Sequence, residues 1–487
     1  MQTKSRAATA KSRKKESEFS KIKPKASVPL EQTEPLVEDE PKIEEKSDRN
    51  SSNSAGDSPQ LLPAEIKLVC TQDNLANHLE LVSKAVPAKP THPVLGNVLL
   101  VACKKTQRVQ LTVFDMRLAI QTSFEANVQS PGDMTIPVGL LSDIVGKFSP
   151  GDITLVSREA LNREGEDSED SEDSEDSEDS GNNITLPEAV SNSPVATLIA
   201  ACGRYQVRGI SSEEFPAIPE VKTAQTICIP AETLKEGLKG SLFATATDEG
   251  KHILTGVYFK ICQDSLEFAA TDGHRLVVLN TSIQGFSKKK QAEIAQPLEL
   301  TVPAKSLAEL ERILSSRTSA DPVELSYSTL DALVEFRWGA QRLVTRCLEG
   351  TYPAYPDLLQ QDFQHQVTLE KAPFIKAIER IAVLADKKEK TLSIRINSET
   401  QQVSLSLFRE FGNGLEQMAA HVNSDSNLSI SFNIKYLLEG AKAIASSQLQ
   451  MHLTQRDGPA ILVPAGNRSK PNILMDAKYL LMPIFKD

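Results

Sequence analysis

Three stretches of this chain, each more than a hundred residues from the next, can be written over one another: Met134-Thr-Ile-Pro137-Val-Gly-Leu-Leu141, Leu300-Thr-Val-Pro303-Ala-Lys-Ser-Leu307 and Ile430-Ser-Phe-Asn433-Ile-Lys-Tyr-Leu437. Each reads as a strand running into a helix. The prolines are expected in the first helical turn, where a preset φ helps and no amide donor is missed, and Asn433 is a good helix cap. A second register joins Cys70-Thr-Gln-Asp73-Asn-Leu75, Ile229-Pro-Ala-Glu232-Thr-Leu234 and Leu369-Glu-Lys-Ala372-Pro-Phe374, again strand into amphipathic helix. A third pairs Phe215-Pro-Ala-Ile-Pro219 with Tyr352-Pro-Ala-Tyr-Pro356, where two prolines in five residues forbid both helix and central strand, so these are connectors. Alternating runs such as Val109-Gln-Leu-Thr-Val113 and Leu392-Ser-Ile-Arg-Ile396 supply half-buried antiparallel strands. A chain that repeats one unit three times must fold as three similar bodies, and that limits it more than its composition does.

The repeat also locates an insertion. The first two copies are offset by 166 residues at the helix start but by 137 at the connector, so the first copy carries 29 extra residues. Five copies of Glu-Asp-Ser at 166–180 fall inside that interval, which makes the tract a loop insertion at about 160–192. The expected division is a charged tail over 1–64, then domains at 65–219, 220–360 and 361–487, each of ordinary domain size. The tail lacks the large apolar side chains needed to offset ordering entropy. Its first 25 residues hold nine Lys or Arg, while 31–48 hold eight acids.

Charge looks adverse to a nucleic-acid partner only until it is located. The chain carries −11, but ten of those negative charges belong to the Glu-Asp-Ser tract, and the rest is close to neutral at −1. No apolar run approaches the roughly 18–20 residues that span a bilayer, and the first segment lacks a secretory apolar stretch. Cys70, Cys103, Cys202, Cys228, Cys262 and Cys347 are scattered, unlike a disulfide framework or zinc ribbon. A soluble protein of a reducing, cytoplasmic compartment is expected.

No phosphate loop, dinucleotide fingerprint, nucleophile elbow or zinc-protease motif occurs, and neither cofactor nor metal site is expected. The one constellation resembling a catalytic site is Thr271-Asp272-Gly273-His274-Arg275-Leu276, in which Asp272 and His274 form a conceivable acid/base pair. A polar turn beside a strand accounts for the same residues. Cations recur on the expected helices: Lys84 and Lys147 in the first copy, Lys235, Lys239, Lys305 and Arg312 in the second, Lys376, Arg380, Lys387, Lys435 and Lys442 in the third. Repeated on equivalent helices, they could follow phosphates without reading bases, although plain helix solvation explains any single one.

Four segments then carry a resemblance: Ala88-Lys-Pro-Thr-His-Pro-Val-Leu-Gly-Asn97, Ala270-Thr-Asp-Gly-His-Arg-Leu276, Gly350-Thr-Tyr-Pro-Ala-Tyr-Pro-Asp357 and Tyr479-Leu-Leu-Met-Pro-Ile484. In order and spacing, Ile66 to Asp487 resembles the beta sliding clamps, the beta subunits of bacterial DNA polymerase III, and most closely their cyanobacterial members. The resemblance implies an α+β chain of three tandem clamp domains, each with two helices and antiparallel sheets. Two subunits would close head to tail into a ring, helices inside and sheets outside, encircling double-stranded DNA without sequence preference.

For the sites, the resemblance implies a partner-peptide cleft from Leu254, Thr271, Gly273, His274, Arg275 and Leu276, with Pro353 and Leu358 from the second connector. Leu480, Met482, Pro483 and Ile484 would complete it. It implies DNA contacts at Lys89 and at the loop holding Lys251 and His252, to which the helix cations Lys235, Lys239 and Lys305 add. The dimer contact would use Arg380, Val383 and Leu384. Expected partners are the polymerase III catalytic subunit, the clamp loader, and repair and translesion polymerases, ligase or mismatch-repair proteins bearing linear motifs. Three departures from the family pattern stand out: the tail, the acidic insertion, expected to project from the outer surface, and Phe411-Gly-Asn-Gly-Leu-Glu-Gln417, acid-poor for a strand-linking segment. Two other readings compete: a peptide-binding scaffold that does not encircle DNA, and a hydrolase using Asp272 and His274.

Overall fold

At six places a strand runs straight into a helix, at the positions the repeat indicates. Among the described residues the α-helices are α1 (Gln72–Ser83), α2 (Val138–Val145), α3 (Ala231–Ser241), α4 (Ala304–Ser316), α5 (Lys371–Ala382) and α6 (Ile434–Ala443). The computed structural model describes residues 66–158, 193–222, 225–283, 297–317, 319, 321–385, 390–454, 458–468 and 475–484. All belong to the unit Leu62–Asp487. The charged tail, the Glu-Asp-Ser tract and Lys387 lie outside the described residues.

The helix starts have local causes. Asn433 accepts from the amides of Lys435 and Tyr436 at 3.0 and 3.4 Å, and Thr71 accepts from the amide of Asn74 at 3.3 Å. Pro137 and Pro303 differ from expectation: each is the last residue of its strand and the N-cap, not a member of the first helical turn. Their ψ values of 112° and 129° are extended, and both strands, Gly132–Pro137 and Leu298–Pro303, lie at the edge of a sheet, where a missing amide donor is tolerated.

In each repeat the two helices pack on each other: α1 on α2, α3 on α4, α5 on α6. Apolar residues three and four apart bury one face, as with Leu75, Leu79 and Val82 on α1 and Phe374, Ala377, Ile378 and Ile381 on α5. Two glycines permit close approach to the sheets. A Cβ on Gly237 would sit 2.3 Å from the Phe268 ring, and one on Gly440 would sit 2.0 Å from the Tyr479 ring.

Four antiparallel sheets result, and two of them cross between repeats. In the eight-stranded sheet, Leu118–Glu125 of the first repeat pairs with Gln341–Arg346 of the second, Ile120 opposite Leu343. In the nine-stranded sheet, Arg275–Ser282 of the second pairs with Met475–Leu481 of the third, Leu276 opposite Leu480. The rule at each joint is that the fourth strand of one repeat takes the last strand of the next. One fourth strand and one last strand remain: Gly412–Ala419, at the edge of the four-stranded sheet, and Gly203–Arg208, at the edge of the five-stranded sheet. Phe411–Gln417 is thus mostly strand, tightly turned onto Gln402–Arg409, where a linking segment was expected. Pairing with an apolar neighbour outweighs the low strand preference of Gly412 and Gly414.

Candidate functional site

The Thr271–Leu276 segment is a hairpin turn that closes on itself. Asp272 Oδ1 accepts from the amides of His274 and Arg275 at 2.9 and 3.2 Å, and Oδ2 accepts from Arg275 Nε at 3.0 Å. Thr271 Oγ1 donates to the Arg275 carbonyl at 2.6 Å and accepts from the Gly273 amide at 3.1 Å. Gly273 has φ +91°, which explains glycine at that position. The Asp272 carboxylate is therefore spent on its own turn and on Arg275, and the acid/base pairing with the His274 ring has no geometric support. From the neighbouring 3₁₀ segment Glu249–Thr255, Lys251 Nζ donates to the Asp272 carbonyl at 2.8 Å.

Arg275 was expected to face a partner, yet its side chain is only 5% exposed. Its Nη1 donates to Glu439 on α6 and its Nη2 to the Phe243 carbonyl. The guanidinium lies 4.2 Å from the centre of the Tyr436 ring and 5.4 Å from that of Phe243. It fastens the turn of the second repeat to a helix of the third.

Strand alternation puts the cleft on the opposite face of the sheet from the helices. Val277, Leu279, Tyr479 and Leu481 belong to the main core, while Leu276, Val278 and Leu480 join a separate apolar cluster with Ala269, Ile461, Tyr352 and Tyr355. Leu254 and Tyr258 pack against that cluster. Tyr258 stacks on Tyr352 with centroids 4.9 Å apart, and the Tyr355 hydroxyl donates to Glu267. Burial pushes the hydroxyl pKa values of Tyr352 and Tyr355 up, so both stay neutral. Above this floor the rim is open: Leu358 is 47% and Met482 41% exposed, and Pro353, Gly273 and His274 are exposed. The last described residues stitch the edges, Met482 N donating to the His274 carbonyl at 3.0 Å and Ile484 N to Ser431 at 2.8 Å, with Pro483 buried between them. The structure brings Leu254, the turn and Leu480–Met482 to one place. Sequence reasoning missed Tyr258, Tyr352 and Tyr355 as cleft floor, although the tyrosines of the second connector were the available signal.

The helix cations stand beside acids. Lys235 pairs with Glu232 at 2.5 Å, Lys305 with Glu249 at 3.8 Å, Lys435 with Glu439 at 3.8 Å and Lys442 with Glu379 at 2.7 Å. Lys239 is exposed in the last turn of α3, Lys89 and His252 are exposed in the segments leading to the 97–103 and 256–261 strands, and Lys251 is drawn to the cleft turn. At the end of α5, Arg380 grips Glu416 with two bonds of 2.7 Å, holding that carboxyl below its usual range. Val383 is 82% exposed, and Leu384 lies against Gly412 and Gly414 of the open strand.

Comparison with known proteins places this geometry. Residues 66–174, 228–354 and 357–478 match the N-terminal, central and C-terminal domains of the DNA polymerase III beta subunit in turn. The beta sliding clamp of Synechocystis sp. is 40% identical over 424 residues, covering 86% of this chain and 99% of that protein. The chain belongs to the beta sliding clamp family. A second beta sliding clamp, from Synechococcus elongatus, is 38% identical over 420 residues, covering 86% of this chain and 99% of its own. The sliding clamp of Bacillus subtilis shares the fold, with a TM-score of 0.72 at 22% identity, over 87% of this chain and all of that one. In beta clamp terms, the three matched domains are the three repeats, and the expected α+β architecture is the one observed. The family is non-catalytic, in keeping with the commitment of Asp272 to its own turn.

Proposed function

We propose that two copies of this chain close head to tail around duplex DNA, and that the cleft between the second and third repeats tethers replication and repair proteins to that ring. As a beta sliding clamp, the chain is a processivity factor of DNA polymerase III. The observation that carries the ring is the leftover pair of edges. Within the chain, fourth strand meets last strand twice; Gly412–Ala419 and Gly203–Arg208 are the one such pair that does not meet, each standing at the edge of its sheet among the described residues. Joining them between two copies satisfies both edges and completes the rule at every joint. Apolar side chains flank both edges: Val383 and Leu415 beside one, Ile199 and Tyr205 beside the other, all exposed. The domain limits 65–219, 220–360 and 361–487 follow the same rule.

Inside such a ring, Lys235 and Lys305, already paired with carboxylates, would touch phosphates weakly, together with Lys89, Lys239 and the Lys251–His252 loop. Weak contact suits an object that must slide, because enclosure and not affinity retains it. The cleft, apolar at its floor and open at its rim, suits short linear motifs. Motifs of the polymerase III catalytic subunit, the clamp loader, repair and translesion polymerases, ligase and mismatch-repair proteins are the ligands proposed, in the cytoplasm at the nucleoid. No described helix is long and apolar enough to cross a membrane.

The test is retention at high salt on a nicked circular duplex, before and after the circle is cut. Salt removes the electrostatic term, so a ring stays on the circle and slides off cut ends. Equal loss from both, given a competent loader, would leave the peptide scaffold as the better reading.

A further inference from the structure

The cleft turn is wired on two sides to exposed helix cations, once through a shared carboxylate and once through the 3₁₀ segment Glu249–Thr255. On one side, Arg275 Nη1 donates to Glu439 Oε2, while the other oxygen of Glu439 lies 3.8 Å from Lys435 Nζ on the outward face of α6. On the other side, Lys251 Nζ holds the Asp272 carbonyl, and Glu249 of the same 3₁₀ segment lies 3.8 Å from Lys305 Nζ in the first turn of α4. Arg275 is buried and Glu439 half-buried, whereas the Lys435 and Lys305 side chains are 60% and 89% exposed. Each relay thus has a fixed end under the cleft and a free end on the helix surface.

We infer that Glu439 and Glu249 are positioning residues through which a phosphate at Lys435 or Lys305 tightens the peptide cleft. This rests on the ring reading above, which places those helices toward DNA. The sign follows from competition for one carboxylate. When a phosphate draws the Lys435 ammonium away, Glu439 is left to Arg275 alone and the turn carrying Thr271–Leu276 is held more firmly. A firmer turn loses less freedom when a peptide settles on it, so affinity rises. By linkage a bound peptide strengthens the hold on DNA by the same factor.

The full-length protein, free in one arm and placed on a nicked circular duplex by a competent loader in the other, is titrated at low salt with a fluorescent peptide carrying the clamp-binding motif of the polymerase III catalytic subunit. The expected result is a Kd roughly two- to fivefold lower with the duplex, the scale of one or two partly exposed ion pairs. Glu439→Gln and Glu249→Gln each reduce that ratio, and together they bring it to one, with thermal unfolding checked for each variant. A merely structural role would shift both titrations equally and leave the ratio intact. Unchanged or weaker peptide binding with duplex bound, or a ratio that survives in the double variant, overturns the relay while leaving the ring reading in place. Failure of the wild-type protein to stay on the nicked circle overturns both.

Discussion

The two joints between repeats are built to one plan and finished differently. At the first, Phe215 and Ile218 of the connector lie with Val94, Leu95, Phe114, Ala119, Leu333 and Val344 in a closed cluster apart from the main core. At the second, Tyr352 and Tyr355 occupy the connector positions of Phe215 and Ile218, over Leu276 and Leu480. Leu95 is 4% exposed at the first joint, while Leu254, its counterpart before the corresponding strand, is only half-buried. Val221 is packed against the first cluster, whereas Leu358, at the same place on the second connector, is 47% exposed. One backbone frame therefore yields a filled seam or an open groove, depending on whether the chain covers its own apolar face. The groove is a seam with its lid left off.

Phe215→Ala should have the largest effect that separates them. It empties a buried site at the filled joint and should cost about 3–5 kcal/mol in denaturant unfolding, while peptide affinity at the other joint is retained. Gly440→Ala should follow, costing about 1–3 kcal/mol through the clash with Tyr479 behind the open joint; Gly96→Ala, whose Cβ would meet only Pro90 at 3.6 Å, provides the mild control at the first. Leu358→Ala should leave unfolding within about 0.5 kcal/mol and weaken peptide binding about tenfold by titration, the reverse of the Phe215 pattern.

The smallest effect belongs to the third, unformed joint. Arg380 lowers the Glu416 carboxyl pKa, so the contribution of this pair is fully present above the ordinary glutamate range near pH 4.3 and is lost as pH falls through the lowered value. Glu416→Gln should therefore lower stability only slightly at neutral pH and flatten its fall in acid, as read by thermal unfolding.

Much of this architecture was legible from local chemistry. Asn433 caps its helix as its side chain suggests, the connectors hold neither α-helix nor strand although Pro356 opens a 3₁₀ turn, and the alternation of Val109–Val113 marks a strand. What escaped depends on residues brought together from far apart. Nothing around Arg275 announces that Glu439, 164 residues onward, will take its guanidinium, so a side chain expected to greet a partner is buried. Lys251 looked like a free surface cation, but the approach of two loops gives it to Asp272. The Phe411–Gln417 misreading has the same origin: its glycines argue against a strand locally, and only the neighbouring Gln402–Arg409 makes one.

The acidic insertion leaves and rejoins the five-stranded sheet between Arg158 and Val195, which face each other across adjacent strands. Because its two ends are already neighbours, doubling the length between them adds only about 0.6 kcal/mol of closure entropy. The number of Glu-Asp-Ser units is thereby freed from the folding problem, and this hairpin end is the place where the chain can gain or shed sequence, or accept a reporter domain, without the rest of the molecule registering the change.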